Sequence, residues 1–573
     1  MLNRERIIRT CLNQPVDHLP LWFMFGPWGE TMARWQQEGL NGHDWRAPFS
    51  FDAGFEVLPI NLGFAPNFAW EILCEEGDYQ TVRGENGITV KQLKDTSGIP
   101  MYLDYPVKIY DDWANLRDTR LNPNSPERFP ANLAEIIQGM KQRDAAVQIG
   151  SYPYGLFGTL RDLMGVEELL ISFYDEPAWI KEMMDYLTDF WIAIYKKTLE
   201  YVQIDHIHIW EDMSGKQGPL ISPDMFRKFM MPNYKKITRF AKDNNIAVVS
   251  VDTDGNMDTL MPLLAESGIH MVLPFEVQAG CDIVEIRRRF PNICLCGGID
   301  KLAIAKGRAA IDKELDRIAP LLTGTGYIPG LDHLPHPDIS FADFSYFTEE
   351  LRLRLHKNWH NVLLTDSGFY HDNELDKPLA PLIDCVQKML QKPFWETKVL
   401  FIPTAAAQDK QKAAEITTRL KNELLAMGML DENITVHDID GSLTEADVMT
   451  FDMMYLTGGK TPYLAKRVRE TGFDKIIKNF IFANKTYVGM SAGSVLLASH
   501  FNVDDMYNPT YEGLGLIKAY FSVHCVKPEG SPDQVWDDEF KGLPLPHITL
   551  QENQSLQLGW DGYKIIKPTE EYP

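Results

Sequence analysis

The stretch KTYVGMSAGSVLLAS, residues 485–499, decides the fold of the C-terminal part of this chain. Its first residues are β-branched and aromatic and predict a strand, and its last residues form an apolar run that predicts a helix. Between them stands Gly-Met-Ser-Ala-Gly at 489–493. A serine at such a turn is typical of a nucleophile elbow, in which glycines let the backbone approach its neighbours. The stretch therefore predicts an α/β domain with Ser491 as its nucleophile.

Two features elsewhere in the chain complement this serine. Gly458-Gly459 ends another predicted strand. The backbone N–H of Gly459, together with that of Ala492, is predicted to form an oxyanion hole. His524 lies on a later strand-like segment and is the predicted general base toward Ser491.

Three short motifs extend this pattern: Leu456-Thr-Gly-Gly459, Gly-Met-Ser-Ala-Gly-Ser at 489–494, and Gly513-Leu-Gly-Leu-Ile517 ahead of His524. With them, residues 398 to about 565 resemble peptidase family S51, which includes aspartyl dipeptidase (dipeptidase E) and cyanophycinase. The resemblance implies a class I glutamine amidotransferase-like α/β fold and serine-type hydrolysis of a small peptide or amide without a cofactor.

The same resemblance implies an acidic residue between the serine and the histidine. Three residues in that interval qualify: Asp504, Asp505 and Glu512. We favour Asp505, although spacing alone does not fix which carboxylate reaches the imidazole. The dipeptidase branch also recognises a substrate aspartate, which needs a cationic partner. The available cations near the motif are Lys460, Arg467 and Arg469.

Upstream, between about 200 and 335, short apolar strands repeatedly run into acidic or glycine-rich residues. Carboxylates at the C-terminal ends of successive parallel strands are typical of the active face of a (β/α)₈ TIM barrel. We therefore predict an N-terminal TIM barrel with a pocket formed by Glu211, Asp212, Asp252, Asp254, Glu276, Asp332 and His333.

Several motifs occur in one order along this region: 21–24 (LWFM), Ser222-Pro223, Pro274-Phe-Glu276, Gly297-Gly-Ile-Asp300 and Gly326 to His333. With these motifs, most of residues 1–355 resemble the uroporphyrinogen decarboxylase superfamily. This superfamily also contains methyltransferases that use corrinoid cofactors or thiols. The resemblance implies methyl transfer or decarboxylation of a small molecule, with a corrinoid protein as a partner in the first case.

The chain departs from the decarboxylase pattern at its substrate-binding positions. Phe25 and Gly29 stand where the decarboxylase has arginines, and Thr159 stands where it has a tyrosine. A polyanionic tetrapyrrole loses its main recognition without guanidinium donors. We therefore do not expect true uroporphyrinogen decarboxylation, although His333 is retained.

The methyltransferase branch holds zinc through a His-x-Cys pair and a later Cys. At those places this chain has Ser250-Val-Asp252 and Leu331-Asp332-His333. Two alternatives stay open: a divalent metal (zinc) held by oxygen and nitrogen ligands, with Asp252, Glu276 and His333 as candidates, or a metal-free acid–base site.

Two pairs of alternating residues are interpreted as interior rather than as ligands. His206 and His208 share one face of a predicted strand, and Cys294 and Cys296 do the same on another. Side chains that alternate in this way fill the inside of a small barrel.

Length and composition limit the remaining possibilities. A chain of 573 residues exceeds one hydrophobic core, so we place domains at 1–390 and 396–573, where a helix gives way to a new strand. The formal net charge of −24 disfavours nucleic acid and anionic membranes as partners. The seven scattered cysteines form no disulfide or zinc pattern, and with no signal peptide or membrane span predicted we expect a cytoplasmic protein.

These features together predict a bifunctional enzyme that acts on small-molecule and short-peptide substrates. A homodimer is implied only by the resemblance of the barrel to the uroporphyrinogen decarboxylase superfamily, whose barrels often pair. The alternative is that one domain, above all the barrel, is a non-catalytic binding or oligomerisation module.

Overall fold

The computed structural model describes residues 1–49, 51–94, 100–322, 324–356, 360–371, 374–501, 511–525, 547–551, 553–559 and 562–566. The chain divides into two compact units, Met1–Leu355 and His356–Pro573. The predicted boundary at 390–396 is therefore wrong. The strand Val362–Thr365 and the helix Ala380–Leu390 belong to the second unit, because they pack in its sheet and core.

The first unit alternates strands and helices along most of its length. Its helices are α1 (Asn3–Cys11), α2 (Gly29–Gln37), α3 (Tyr110–Arg120), α4 (Leu133–Gln142), α5 (Leu156–Met164), α6 (Val166–Asp175), α7 (Pro177–Thr198), α8 (Pro223–Met225), α9 (Met231–Asp243), α10 (Met261–Glu266), α11 (Ile283–Arg289), α12 (Lys301–Ile304), α13 (Arg308–Ile318) and α14 (Phe341–Leu355). Its strands are β1 (Phe55–Val57), β2 (Glu71–Glu76), β3 (Tyr79–Arg83), β4 (Thr89–Leu93), β5 (Met101–Asp104), β6 (Ala146–Ile149), β7 (His206–Trp210), β8 (Ser214–Gly215), β9 (Gly218–Pro219), β10 (Val248–Asp252), β11 (Met271–Leu273), β12 (Cys294–Ile299) and β13 (Tyr327–Leu331).

Seven of these strands form one parallel sheet in the order β1-β6-β7-β10-β11-β12-β13. The order follows the chain, as it does in a barrel. Phe55 on one edge strand and Ile328 on the other belong to the same buried cluster, which Trp22 joins. The sheet therefore curls until its edges approach, and the predicted TIM-barrel architecture is confirmed.

The predicted opening strand at 21–24 differs from the other strands. The described residues give it no strand pairing, but Asp52 donates its amide to the carbonyl of Leu21 at 3.0 Å. A methyl group on Gly330 would lie 3.5 Å from the Phe23 ring. The segment thus contacts the residues ahead of β1 through a backbone hydrogen bond and packs against β13 through Phe23.

The barrel interior and its insertion complete the first unit. Ile7 and Cys11 of α1 join the interior cluster, together with Cys294 and Cys296. The pair of cysteines is interior, as predicted.

An antiparallel sheet, β2-β3-β4-β5, is inserted between β1 and β6. This insertion was not predicted from the sequence, because its strands are short and largely exposed.

The second unit has its own sheets and core. Its helices are α15 (Ala380–Leu390), α16 (Lys410–Ala426), α17 (Glu445–Val448), α18 (Thr461–Glu470), α19 (Phe473–Phe482) and α20 (Ala492–Val495). Its strands are β14 (Val362–Thr365), β15 (Val399–Ile402), β16 (Ile434–Val436), β17 (Met453–Leu456), β18 (Thr486–Met490), β19 (Ala498–Phe501), β20 (Tyr511–Glu512), β21 (Ile517–Cys525), β22 (His547–Gln551), β23 (Ser555–Gly559) and β24 (Gly562–Ile566).

The main sheet of this unit runs in the order β16-β15-β17-β18-β14-β23-β24. The pairs from β16 to β14 are parallel, and β23 and β24 are added antiparallel. β18 is central, between β17 and β14. The elbow predicted from the sequence therefore follows a buried central strand, and the predicted α/β fold of this domain is confirmed. No helix among the described residues is both long and apolar enough to cross a membrane.

Candidate active site

Ser491 stands at the turn between β18 and α20. Its backbone has φ 49° and ψ −107°, a strained conformation for a residue with a side chain. The turn is tight, since a methyl group on Gly493 would lie 2.4 Å from the carbonyl oxygen of Leu456. The amide of Ser491 donates to the carbonyl of Thr365 on β14 at 2.9 Å. Both neighbouring strands thus hold the serine at the end of the sheet.

His524, on β21, contacts this serine directly. Its Nε2 lies 2.9 Å from Ser491 Oγ. Its Nδ1 lies 2.9 Å from Asp366 Oδ1, and its backbone amide donates to the same oxygen. The Asp366 side chain is 1% exposed, whereas that of His524 is 59% exposed. When a carboxylate accepts from Nδ1–H, the lone pair of Nε2 is the one that can take the serine proton.

Asp366 was not among the predicted partners of His524. It follows β14, in a segment that the sequence analysis assigned to the barrel domain. The signal was present, since an apolar strand runs directly into an acidic residue, as on the barrel. Asp504 and Asp505 lie outside the described residues, so the role of Asp505 stays a prediction. Glu512 is exposed on β20.

The predicted oxyanion-hole residues lie next to the serine. A methyl group on Gly458 would lie 3.6 Å from Ser491 Oγ, so this turn borders the nucleophile. Gly459 has φ +150° and packs against Ala405 so closely that no side chain fits. Ala492 opens α20, and the first amides of a helix have no partner within the helix. The backbone N–H groups of Gly459 and Ala492 are therefore candidate hydrogen-bond donors to an oxyanion.

The three candidate cations differ in the contacts that they make. Arg467 donates to the carbonyl of Ile439 at 2.9 Å and pairs with Glu470 at 3.2 Å. Arg469 donates to the carbonyl of Gly513 at 3.2 Å. These two arginines therefore hold the scaffold. Lys460 is exposed, directly follows Gly459 and stays a candidate partner for a substrate carboxylate.

In the barrel, Glu211 has a structural role. It is fully buried and accepts the amides of Leu156, Phe157 and Gly158 at the start of α5, at 3.0, 2.6 and 3.1 Å. It also accepts the hydroxyl of Tyr234 at 2.5 Å. Burial raises the pKa of Glu211 to about 7, although these hydrogen bonds favour its charged form. Glu211 thus fastens a helix to the sheet instead of facing a substrate.

Two further predicted pocket residues are held by one lysine. Asp332 accepts from Lys301 Nζ at 3.4 Å and from the backbone amides of Val277 and Lys301 at 3.0 and 3.1 Å. Glu276 lies 3.8 Å from Lys301 Nζ and accepts the amide of Gly255 at 2.9 Å. Asp212 is paired elsewhere, with Arg161.

The remaining acidic residues lie near histidines. Asp254 lies 3.4 Å from His333 Nε2, and the ring of His333 is 5.5 Å from that of Phe25. Burial alone would lower the pKa of His333, but the hydrogen bond and charge of Asp254 outweigh burial and raise it. His333 thus carries its proton to higher pH than an ordinary histidine.

A chain of buried polar groups leads to Asp252. Gln148 Oε1 lies 3.0 Å from His206 Nδ1, and Ser250 Oγ lies 2.6 Å from His206 Nε2 and 2.8 Å from His208 Nδ1. Because Gln148 Oε1 can only accept, His206 carries its proton on Nδ1. Ser250 Oγ therefore donates to His206 Nε2, and His208 Nδ1 donates to Ser250 Oγ. The unprotonated Nε2 of His208 then faces Asp252 Oδ2 at 3.7 Å.

The protonation of this chain is set by burial. Burial lowers the pKa of His208 to about 3, so the ring is neutral. Burial, aided by the charges of Asp254, Asp212 and Glu276, raises the pKa of Asp252. The two histidines are interior, as predicted, and their hydrogen-bonded chain ends at Asp252, a carboxyl whose pKa burial raises.

The predicted metal ligands do not form a metal site. Among the described residues, no group of three or more His, Cys, Asp or Glu side chains is arranged to hold a metal ion. Glu276 is engaged by Lys301, and His333 by Asp254, instead of facing Asp252 together. The donors present therefore do not fit zinc.

Two curated relatives are similar to a part of the chain. The chain is 30% identical over 143 residues to an uncharacterized peptidase of Listeria monocytogenes, which covers 24% of this chain and 65% of that protein. It is 28% identical over 106 residues to an uncharacterized peptidase of Pasteurella multocida, covering 18% of this chain and 49% of that protein. The chain thus spans about half to two thirds of these relatives.

Two solved structures are similar to parts of the chain. A methyltransferase from Methanosarcina mazei has 16% identity and a TM-score of 0.38, covering 61% of this chain and 98% of that one. A peptidase from an acI-B1 Actinobacterium has 19% identity and a TM-score of 0.26, covering 37% of this chain and 92% of that one.

Two family models match, and they match different parts of the chain. Residues 80–353 match uroporphyrinogen decarboxylase (URO-D), and residues 362–566 match peptidase family S51. The second match begins at β14 and so includes Asp366. One region of the chain thus matches the URO-D family, and a second, later region matches peptidase family S51.

Proposed function

We propose that the second unit is a serine hydrolase of small peptides or amides, in which Ser491 is the nucleophile and His524 the general base. The observation that carries the proposal is the distance of 2.9 Å between Ser491 Oγ and His524 Nε2, at a strained turn after a central strand. We assign Asp366 the role of orienting the imidazole through Nδ1.

The reaction follows from this geometry. Ser491 Oγ attacks the carbonyl carbon of the substrate while His524 Nε2 takes the hydroxyl proton, and the carbonyl oxygen becomes an oxyanion. The amides of Gly459 and Ala492 are the proposed donors to it. The C–N bond then breaks, and His524 gives its proton to the leaving amine. Water, activated by the same imidazole, hydrolyses the acyl-enzyme.

The proposed substrate is a short peptide, by the resemblance to the dipeptidase branch. Lys460 is the proposed partner of a substrate carboxylate, because it borders the Gly458-Gly459 turn while Arg467 and Arg469 are used in the scaffold. Such a contact would favour an N-terminal aspartate.

Labelling with a fluorophosphonate, together with hydrolysis of a panel of Asp-x dipeptides, tests the proposal. We expect Ser491→Ala to abolish labelling and to reduce hydrolysis by roughly 10⁴-fold or more. Ser442→Ala is the matched control, since Ser442 Oγ also lies near a histidine, 3.3 Å from His437 Nε2, but outside an elbow. Labelling of Ser491→Ala at the wild-type level would refute the assignment.

A second candidate function concerns the barrel, and Asp252 favours it. We propose that the barrel carries out metal-free acid–base chemistry on a small molecule, either decarboxylation or methyl transfer. In decarboxylation, the C–C bond to the carboxylate breaks, and Asp252 gives its proton to the carbon that keeps the electron pair. In methyl transfer, the bond between the methyl carbon and the leaving atom breaks, Asp252 gives its proton to the leaving atom, and the methyl group would bond to an acceptor, for which a corrinoid protein is the proposed partner.

CO₂ release from a panel of small carboxylic acids, measured with and without EDTA, tests this second proposal. We expect turnover to survive EDTA and to be lost in Asp252→Asn. Turnover that requires added zinc would contradict the metal-free site. If Asp252→Asn leaves turnover intact, the acid role is wrong.

A further inference from the structure

A cavity of about 450 Å³ lies in the first unit, outside the chain of groups that ends at Asp252. The loops after β1 and β6, the turn between β3 and β4, and helices α5 and α7 form its walls. Its volume falls in the range of small-molecule sites. The side chains that matter below are Phe64, Glu85, Tyr152, Tyr154, Asp162 and Trp191.

The charge of the lining has one sign. Glu85 and Asp162 are its charged members among the described residues. Two arginines lie behind the wall and bind backbone carbonyls of the same loop: Arg120 donates to Asn67 at 3.0 Å, and Arg128 donates to Gly63 at 2.7 Å. The inner surface is therefore acidic, and it favours a cationic ligand.

Asp162 has an unused acceptor. Its Oδ2 is buried and has no hydrogen-bond partner in the described part of the chain. Its nearest cation is Arg161, whose Nε is 4.0 Å from Oδ1, but Arg161 also binds the carboxylate and carbonyl of Asp212. Burial raises the pKa of Asp162 to about 6. A buried carboxylate without a donor is costly, so a ligand that supplies an N–H would stabilise it.

The other walls are aromatic. Phe64, Tyr152, Tyr154 and Trp191 contribute rings. The Trp191 indole N–H donates to the carbonyl of Leu62 at 3.0 Å, and Tyr152 packs edge-on against Trp210 at 4.6 Å. Rings held in this way, close to a carboxylate, are suited to an organic cation, because the face of each ring attracts positive charge.

We propose that this cavity binds a small organic amine, whose ammonium donates to Asp162 while its apolar part lies among the rings of the wall. The proposal depends on neither the hydrolase assignment nor the role of Asp252. It names the class of ligand that this cavity takes, a protonated amine with an apolar body.

Isothermal titration of the full chain at pH 7.5 with three probes of one shape tests the proposal: phenethylamine, phenethyl alcohol and 3-phenylpropionate. We expect the amine to bind at least about tenfold more tightly than the alcohol, and the carboxylate not to bind. Asp162→Asn should remove the preference for the amine and leave the affinity for the alcohol unchanged. Asp111→Asn, an exposed carboxylate on α3, is the matched control and should change nothing.

The pH dependence separates charge pairing from shape. The affinity of the wild type for the amine should fall as the pH drops through about 6, because protonated Asp162 no longer attracts an ammonium. The variant should show no such fall. Other titratable or charged groups near this carboxyl are Arg161, Asp212, Tyr102, Tyr105 and Tyr152. The difference between wild type and variant therefore isolates Asp162.

Two results would overturn the proposal: equal binding of the carboxylate and the amine, or an unchanged amine preference in folded Asp162→Asn. If Asp162→Asn fails to fold, Tyr152→Leu replaces it, since Tyr152 is exposed at the rim. This variant should bind the amine at least about threefold more weakly relative to the alcohol. An unchanged ratio would contradict the aromatic part of the site.

Discussion

At the scale of single residues, Asp366 orients the imidazole of His524 toward Ser491. Ser491 and His524 are only 2.9 Å apart, but an imidazole accepts the serine proton only if its other nitrogen carries the hydrogen. Asp366 imposes that tautomer from Nδ1, and its burial keeps the carboxylate in one place. The His524 side chain itself is 59% exposed.

We predict that Asp366→Asn reduces kcat by roughly 10²- to 10⁴-fold, because the amide can present its N–H to Nδ1 and stabilise the wrong tautomer. Labelling by the fluorophosphonate should slow in parallel. Asp505→Asn is the informative comparison, measured with the same dipeptide. If only Asp505→Asn loses activity, Asp505 is the partner in catalysis and Asp366 is not.

At the scale of elements, the position of Ser491 depends on the close approach between β17 and the turn that joins β18 to α20. Gly493, the second residue of α20, lies against Leu456 so closely that there is no room for a methyl group. The strain stored at the serine persists because the strands on both sides of β18 constrain it.

We expect Gly493→Ala to lower the free energy of unfolding of the second unit by about 1–3 kcal/mol and to reduce hydrolysis, since the added methyl displaces the elbow. Urea unfolding and dipeptide turnover measure the two effects. Gly29→Ala is the control, because a methyl group there meets no atom within 4 Å. Full activity in Gly493→Ala would mean that the elbow tolerates displacement.

Helix α5 depends in the same way on Glu211. The pKa of Glu211 in the folded state is about 7, above its ordinary value of 4.5, so the folded protein holds a proton that the unfolded chain releases. The contribution of this group to stability is therefore full below about pH 4.5 and is lost as the pH rises through about 7.

Glu211→Gln removes this titration. We predict that the destabilisation caused by the substitution is larger at pH 5 than at pH 8, by at most about 3 kcal/mol, since one pKa unit corresponds to about 1.4 kcal/mol. Urea unfolding of both proteins at the two pH values measures the difference. A destabilisation that is the same at both pH values would show that Glu211 does not titrate in this range.

At the scale of the whole molecule, the division at 355/356 assigns each site to one unit. The core of the second unit includes Leu363, Phe369, Leu382 and Val386, all upstream of the boundary predicted from the sequence. A second unit that started at residue 396 would lack a strand of its main sheet, part of its core and Asp366.

Two fragments test this division. We expect residues 356–573 to fold and to be labelled by the fluorophosphonate, and we expect residues 396–573 to be neither folded nor labelled. Circular dichroism and labelling of the two purified fragments are the measurements. Labelling of the shorter fragment at the level of the longer one would contradict the assignment of β14 to the serine site.

The sequence by itself determined what depends on neighbours in the chain. Glycines around Ser491, a strand before it and a helix after it specify an elbow, because turn chemistry and periodicity are local properties. In the same way, strands that run into carboxylates specified the parallel barrel. The family resemblances drawn from these motifs are confirmed by the matches to residues 80–353 and 362–566.

Only the tertiary structure decided which carboxylates face which partners. Asp366 is 158 residues from His524 and meets it because β14 inserts beside β18, a pairing that no local pattern encodes. Glu211 and Asp252 look alike in sequence, each at the end of a strand. Glu211 accepts hydrogen bonds from the amides of a helix, whereas Asp252 lies beside His208. The hydrogen bonds and burial of each side chain depend on its neighbours in the folded structure.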